Sequence, residues 1–244
     1  AKGAKDLGFT ALKLTPFPKG WGLLPYSELI LECTRIVEAT REAVGWDFDL
    51  GIEIHRNMTA RDAVVFAQRI EKFLPYFFED PIAPDSVLSM AEVGSNIKIP
   101  LAVGERNNTI WEFREYSTLP GVAFLKPDIG MAGGFTHARK IAAMAESFHH
   151  RIAPHHFLGP IATLALVHIA LATPNWDVNE LGPEPGTFKE KIVTQIAEIK
   201  DGYFIAPEEP GLGTDIVVEE MEKHSYDVGS GEMERRSDGS IALR

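Results

Sequence analysis

The chain holds a single cysteine, Cys33, among 244 residues. An intramolecular disulfide is therefore excluded, and a reducing, cytoplasmic location is expected. No apolar run approaches the ~20 residues that a bilayer-spanning helix needs, so no membrane partner is expected. Basic charge is also scarce: 24 Lys and Arg stand against 35 Asp and Glu, a formal net charge of −11. Nucleic acid and anionic membranes both demand a basic surface, so neither is expected as a partner. The acidic excess does not itself call for a basic partner, since carboxylates can serve a metal ion. A starting Met and a signal-peptide pattern are missing as well. The opening AKGAKDLGFT reads as an entry in the middle of a helix, with an upstream segment expected.

What is present is an ordinary globular composition, 45% hydrophobic and 24% charged, long enough for one barrel-sized domain or two small ones. The most informative stretch is Ile99–Arg106, IPLAVGER. A short apolar run reaches a glycine and stops at a carboxylate, Glu105, as a buried parallel strand does when its C-terminal end opens onto a site. The pattern recurs at Leu50–Glu53, Phe77–Glu79, Phe124–Asp128, Ile152–His155 and Val178–Glu180. Glu53, Glu79, Glu105, Asp128, His155 and Glu180 follow one another at 23 to 27 residues, the length of one strand, one helix and two loops. A chemically capable side chain at each strand end is the layout of a (β/α)-barrel site.

Phe9–Thr15 reads as the strand before these, with Lys13 near its end. It follows a helix over 1–7 closed by Gly8, and a Pro- and Gly-rich loop follows over Pro16–Pro25. Seven strands are then expected where a closed barrel needs eight, which places the missing one before Ala1. Helices are expected over Ser27–Val44 (Ser27 as N-cap, Gly45 as stop, Cys33 in the core) and after Thr59, with Val64, Val65, Ile70 and Phe73 buried. Further helices are expected over Asp85–Val93, after the loop beyond Glu105, over Phe135–Phe148 behind Gly133-Gly134, and over the almost wholly apolar Gly159–Ala172. Trp111 and His168 read as packed residues, His168 as a satisfied core histidine. Pro183–Gly186 and Ile205–Gly213 read as loops, and the charged last 25 or so residues as an extension.

Glu53, Glu79 and Glu105 on three consecutive strand ends would repel one another unless a cation neutralised them. Hard oxygen donors, with no Cys and no paired His, favour Mg²⁺ over zinc. Asp128 and His155 fall on adjacent strands, where the carboxylate can orient the ring and leave its other nitrogen to take a proton. His55 follows Glu53 by two residues and would share its face by strand alternation. His156 has the opposite parity to His155, and His149 and His150 precede the strand.

These segments resemble the enolase superfamily, in its mandelate racemase/muconate lactonizing branch, and within it the galactonate-type acid-sugar dehydratases. The resemblance is carried by GFTALKL, Glu53-Ile54-His55, FFEDP, PLAVGER, KPD with GGFTHARKIAAMAE, APHHFLGP and NEL, and by PGLG near 210–213. It implies a TIM-type (β/α)7β barrel lacking its first strand and the N-terminal capping domain. The barrel would occupy 1–190, and a C-terminal extension over 191–244 would complete it and pack toward the capping domain. It further implies Mg²⁺ on Glu53, Glu79 and Glu105, an Asp128–His155 base dyad, His55 as general acid, Glu180 hydrogen-bonded to the enediolate and Lys13 near the substrate carboxylate. The implied activity is dehydration of a sugar acid such as galactonate or gluconate to a 2-keto-3-deoxy acid, in a homo-oligomer. Epimerisation or lactone cycloisomerisation through the same enediolate, and an inactive metal-binding remnant, are the alternatives. Two departures stand out. The first metal ligand is usually Asp, and Glu53 is one methylene longer. The usual K-x-K reads Lys13-Leu14-Thr15, which removes the second base of a racemase and favours histidine-driven elimination.

Overall fold

The computed structural model describes residues 1–182, 184–224 and 235–240. Pro183, in the loop expected after Glu180, and most of the charged C-terminal stretch lie outside the described residues. The chain forms two compact units, one of Ala1–Leu101 with Asp227–Arg244, the other of Ala102–Tyr226.

The first unit opens with helix α1 (Lys2–Asp6). Gly8, at φ 84°, ends it by returning its amide to Lys5 O at 3.0 Å while Phe9 N reaches Ala4 O at 3.1 Å. Strand β1 (Ala11–Leu14), helix α2 (Tyr26–Val44), strand β2 (Asp49–Glu53), helix α3 (Ala60–Ile70), strand β3 (Phe77–Glu79) and helix α4 (Val87–Asn96) follow. β1, β2 and β3 pair in parallel in that order, Lys13 opposite Gly51 and Glu53 opposite Glu79. Strand β2 buries Leu50, Ile52 and the adjoining Ile54 completely, and the rings of Phe66 on α3 and Phe78 on β3 lie 6.1 Å apart. Gly45 stops α2 as expected, but Pro25 and not Ser27 is its N-cap, because a proline that lacks an N–H leaves no orphan donor there. Thr59 caps α3, its hydroxyl accepting from Asp62 N at 3.2 Å. The buried stripe of α3 is Ala63, Phe66, Ala67 and Ile70, with Val64 and Val65 only half-buried. Cys33 is fully buried, and burial pushes its thiol up to about 12, which makes it an inert core residue.

The second unit begins within strand β4 (Leu101–Val103) and continues with helix α5 (Ile110–Ser117), strand β5 (Val122–Leu125), helix α6 (Gly134–Ser147), strand β6 (Arg151–Ile152) and helix α7 (Pro160–Leu171). Its strands also follow chain order, and β5 and β6 are parallel, Leu125 opposite Ile152. Thr109 and Glu112 form a complete capping box at the start of α5. That helix leaves Trp111 60% exposed, so the tryptophan does not pack in the core as expected.

Each of the six strands is thus followed by a helix, the succession of a (β/α) barrel wall. The seventh strand expected at Glu180 is reduced to a parallel bridge between Ile152 and Trp176, with Asp177 N donating to Ile152 O at 2.8 Å. Helix α7 is apolar all round because two layers cover it. Ala165, Leu166 and Ile169 pack with Ile129 and Ala138, while Leu164 and Val167 pack with Ala197 and Phe204. His168 on it is half-buried and has no hydrogen-bond partner at Nε2 among the described residues, so it is not the satisfied core histidine expected. The extension adds an antiparallel pair, strands β7 (Ile199–Lys200) and β8 (Tyr203–Phe204), and helix α8 (Val218–Met221). Among the described residues no helix is long and apolar enough to cross a membrane.

Candidate active site

In the first unit the register of β2 and β3 sets Glu53 beside Glu79. Neighbouring strands lie about 4.8 Å apart, so the two carboxylates leave the sheet side by side. Glu79 is fully buried and Glu53 nearly so. Lys13 pairs with Gly51, two residues before Glu53, which puts all three side chains on one face. Its ammonium bridges the pair, 2.8 Å from Glu53 Oε2 and 3.1 Å from Glu79 Oε1. One ammonium leaves two carboxylates one negative charge in excess. A buried all-oxygen donor set that already gathers a cation fits a hard divalent ion.

His55 reaches the side of Glu53, a ring nitrogen within 4.8 Å of a Glu53 carboxylate oxygen, but not by strand alternation, because β2 ends at Glu53. His55 and Arg56 instead form a left-handed turn with φ 52° and 65°, and Asp80, just past β3, has φ 35°. Arg56 N donates to Asp80 O at 2.7 Å, and its guanidinium lies 3.6 Å from Asp80 Oδ2. The same guanidinium is 2.9 Å from His55 Nε2. A guanidinium only donates, so His55 Nε2 accepts and the ring proton sits on Nδ1.

The second unit gathers Glu105, Asp128, His155 and Glu180. Asp128 lies in the turn beyond β5, where Oδ1 accepts from Gly130 N at 2.8 Å and Met131 N at 3.1 Å. This Asx turn leaves Oδ2 for His155 Nδ1, 2.8 Å away. The contact assigns the tautomer: Nδ1–H donates to the carboxylate, and Nε2 is the nitrogen able to take a proton. Nε2 lies 3.7 Å from Glu105 Oε2, on a buried side chain just past β4.

Burial pushes the Asp128 carboxyl up, but the hydrogen bond from His155 and the Met131 and Gly130 amides outweigh it and hold the group below the usual carboxylate range. Burial likewise lowers the His155 ring, and the Asp128 hydrogen bond with the charges of Glu105, Glu180 and Asp128 outweighs it, so its pKa is raised. Glu180 Oε2 accepts from His156 N at 3.3 Å and stands 3.8 Å from Lys126 Nζ.

Lys126 had no role in the sequence reading. It is 2% exposed and donates to Ala153 O at 3.0 Å. A lysine inside the run FLKP was the available signal, since lysines are almost never buried unless paired. Thr163 and Glu184 were also missed. They surround the His156 ring, and nothing in a helix-interior threonine or a Pro-flanked glutamate marks them in advance.

This order of strands, helices and rim groups places the chain in a barrel family. The sequence profile of the family described as Enolase C-terminal domain-like matches residues 1–221, and the chain belongs to that family. It is 30% identical to a D-galactonate dehydratase of Cronobacter sakazakii over 249 residues, covering 99% of this chain and 65% of that protein. Among solved structures it is similar to a mandelate racemase/muconate lactonizing enzyme from Jannaschia sp. CCS1, with TM-score 0.86, 32% identity, 94% of this chain and 59% of that one. It is also similar to an enolase from Agrobacterium radiobacter with sodium and L-malate bound, with TM-score 0.87, 25% identity, 99% of this chain and 65% of that one. The chain thus spans less than two thirds of the length of these relatives.

Proposed function

We propose that the chain carries the catalytic centre of a Mg²⁺-dependent sugar-acid dehydratase, a hydro-lyase acting on an aldonate such as galactonate or gluconate. The observation that carries the reading is the Asp128–His155 pair at 2.8 Å, with Nε2 left to act. The named activity of the Cronobacter relative supports it. So does the binding of a cation and a 2-hydroxy acid by the Agrobacterium enolase.

In this reading Glu53, Glu79 and Glu105 hold Mg²⁺. The ion would supply charge stabilisation for the enediolate that forms from the substrate carboxylate. Lys13 adds positive charge near that carboxylate. His155 Nε2 takes the proton from the carbon next to the carboxylate, and Asp128 holds the ring in place and stabilises the imidazolium. His55 protonates the departing 3-hydroxyl, which leaves as water. Glu180 hydrogen-bonds the enediolate. The resulting enol tautomerises to a 2-keto-3-deoxy acid, which balances the loss of water. The same reading assigns 1–190 to the barrel and 191–244 to the extension that completes it, in a cytoplasmic homo-oligomer.

The test is a survey of sugar acids with a keto-acid assay, combined with α-proton exchange in heavy water. H155N is expected to lose turnover and exchange together, whereas H55N retains exchange and loses dehydration. Exchange that survives in H155N refutes the assignment of the base. Epimer formation without keto acid would point to the epimerase alternative. Mg²⁺ binding without any turnover would point to the inactive remnant.

A further inference from the structure

The residue after the base has its ring in a fully buried network. The His156 ring, 1% exposed, places Nε2 2.7 Å from Thr163 Oγ1 in the first turn of α7 and 3.5 Å from Glu184 Oε1. Thr163 Oγ1 also contacts Glu184 Oε1 at very short range. Thr163 and Glu184 are each 1% exposed. A threonine hydroxyl has one proton, and the carboxylate, which only accepts, takes it. Thr163 must then accept from His156, so the ring carries its proton on Nε2. Among the described residues Nδ1 has no hydrogen-bond partner, as a neutral ring of that tautomer allows. The chain of donors runs from His156 to Thr163 to Glu184, sealed from solvent.

This network joins three segments that carry or flank the active groups. The His156 amide donates to Glu180 Oε2 at 3.3 Å, so one residue holds Glu180 by its backbone and Glu184 through its ring. Glu184 is itself fixed, its carbonyl accepting from Thr187 N at 3.1 Å and Thr187 Oγ1 at 2.8 Å. His155 and His156 are neighbours in the chain, so anchoring the His156 ring and amide restrains the backbone that carries His155. We infer that His156, Thr163 and Glu184 are positioning residues, which hold His155 on Asp128 and keep Glu180 in place relative to the base. The inference rests on the assignment of His155 as the base.

The experiment uses the full chain with ¹⁵N-labelled histidine. In the unaltered protein the ¹⁵N–¹H long-range spectrum is expected to show His156 as the neutral Nε2–H tautomer. An Nδ1–H tautomer or an imidazolium overturns the network. The downfield Nδ1–H resonance of His155 then reports its contact with Asp128. T163V and E184L are expected to broaden or abolish that signal, while T163S and E184Q, which keep the hydroxyl and an acceptor, retain it. An unchanged signal in folded T163V and E184L overturns the positioning role. Either variant alone suffices if the other does not fold, and the tautomer of the unaltered protein decides if neither does. With a sugar acid that turns over, the disruptive pair should lower kcat about 10- to 100-fold at nearly constant KM, the scale of a misplaced reacting group. Should the protein turn over no sugar acid, the dehydratase reading fails, while the two spectroscopic tests still decide this one.

Discussion

Lys13→Met tests the charge balance of the first unit. The ammonium lies 2.8 Å from Glu53 and 3.1 Å from Glu79. At an effective dielectric constant near 20, each contact has a gross Coulomb energy of about 5–6 kcal/mol. Desolvation offsets much of this, and breaking a buried ion pair typically costs ~3–5 kcal/mol because the remaining charge is left uncompensated. The Lys13 side chain is 18% exposed, which argues for the lower end, about 3 kcal/mol. For a chain of this size that is a fall in Tm of roughly 6–12 °C. Methionine preserves the apolar stem, so the loss reports charge rather than volume. If the two glutamates also bind Mg²⁺, the ion at 100 times its Kd should add about 2.7 kcal/mol to the stability of the protein. Differential scanning calorimetry in EDTA and in Mg²⁺ measures both quantities. A K13M protein as stable as its parent in EDTA refutes the charge argument. A parent protein equally stable in EDTA and in Mg²⁺ refutes the metal assignment.

Three further outcomes follow from single residues. At Gly104, φ is 125° and a Cβ would sit 2.4 Å from Phe113 Cε1, so Gly104→Ala should cost about 3 kcal/mol or more by chemical denaturation. Arg41, 3% exposed, donates to the carbonyls of Phe73, Gly45, Phe48 and Leu74, so Arg41→Met should cost about 3 kcal/mol and shift the urea midpoint without changing m. Asp128 has a depressed pKa, so its contribution to stability is present above the ordinary carboxylate value near 3.8 and is lost as pH falls through the lower folded value. Asp128→Asn should remove that part of the acid dependence, and an unchanged slope of stability against pH below about 4 would contradict the assignment.

The rim groups were readable in the sequence because each follows an apolar run, and a buried parallel strand leaves few alternatives. Glu79 and Glu105 emerge beside or just past short strands whose every residue is buried. What was less legible depended on local backbone chemistry. His55 leaves the strand pattern in a left-handed turn that no residue type in HRN announces. Val178–Glu180 has the composition of a strand, but among the described residues the pairing nearby is a single bridge, Ile152 with Trp176. The partners of His156 were out of reach, since Thr163 and Glu184 meet only through tertiary packing.

The sequence spacing of the rim groups is itself the register of the sheet. Phe124 pairs with Arg151 and Leu125 with Ile152. Continuing at the same offset past the strand ends brings Lys126 to Ala153 and Asp128 to His155. Both contacts form, one as an ammonium–carbonyl bond at 3.0 Å and the other as the dyad at 2.8 Å. The ladder therefore extends by side chains after the backbone bonds stop, and Lys126 is the rung that keeps the two chains in step. Glu53 and Glu79 show the same relation, since they share the offset that pairs Gly51 with Phe77. An insertion of one residue on either side of such a pair would separate the groups while leaving each strand intact. Loop length thus matters to this arrangement as much as residue type, and so short a β6 suffices to set His155 against Asp128.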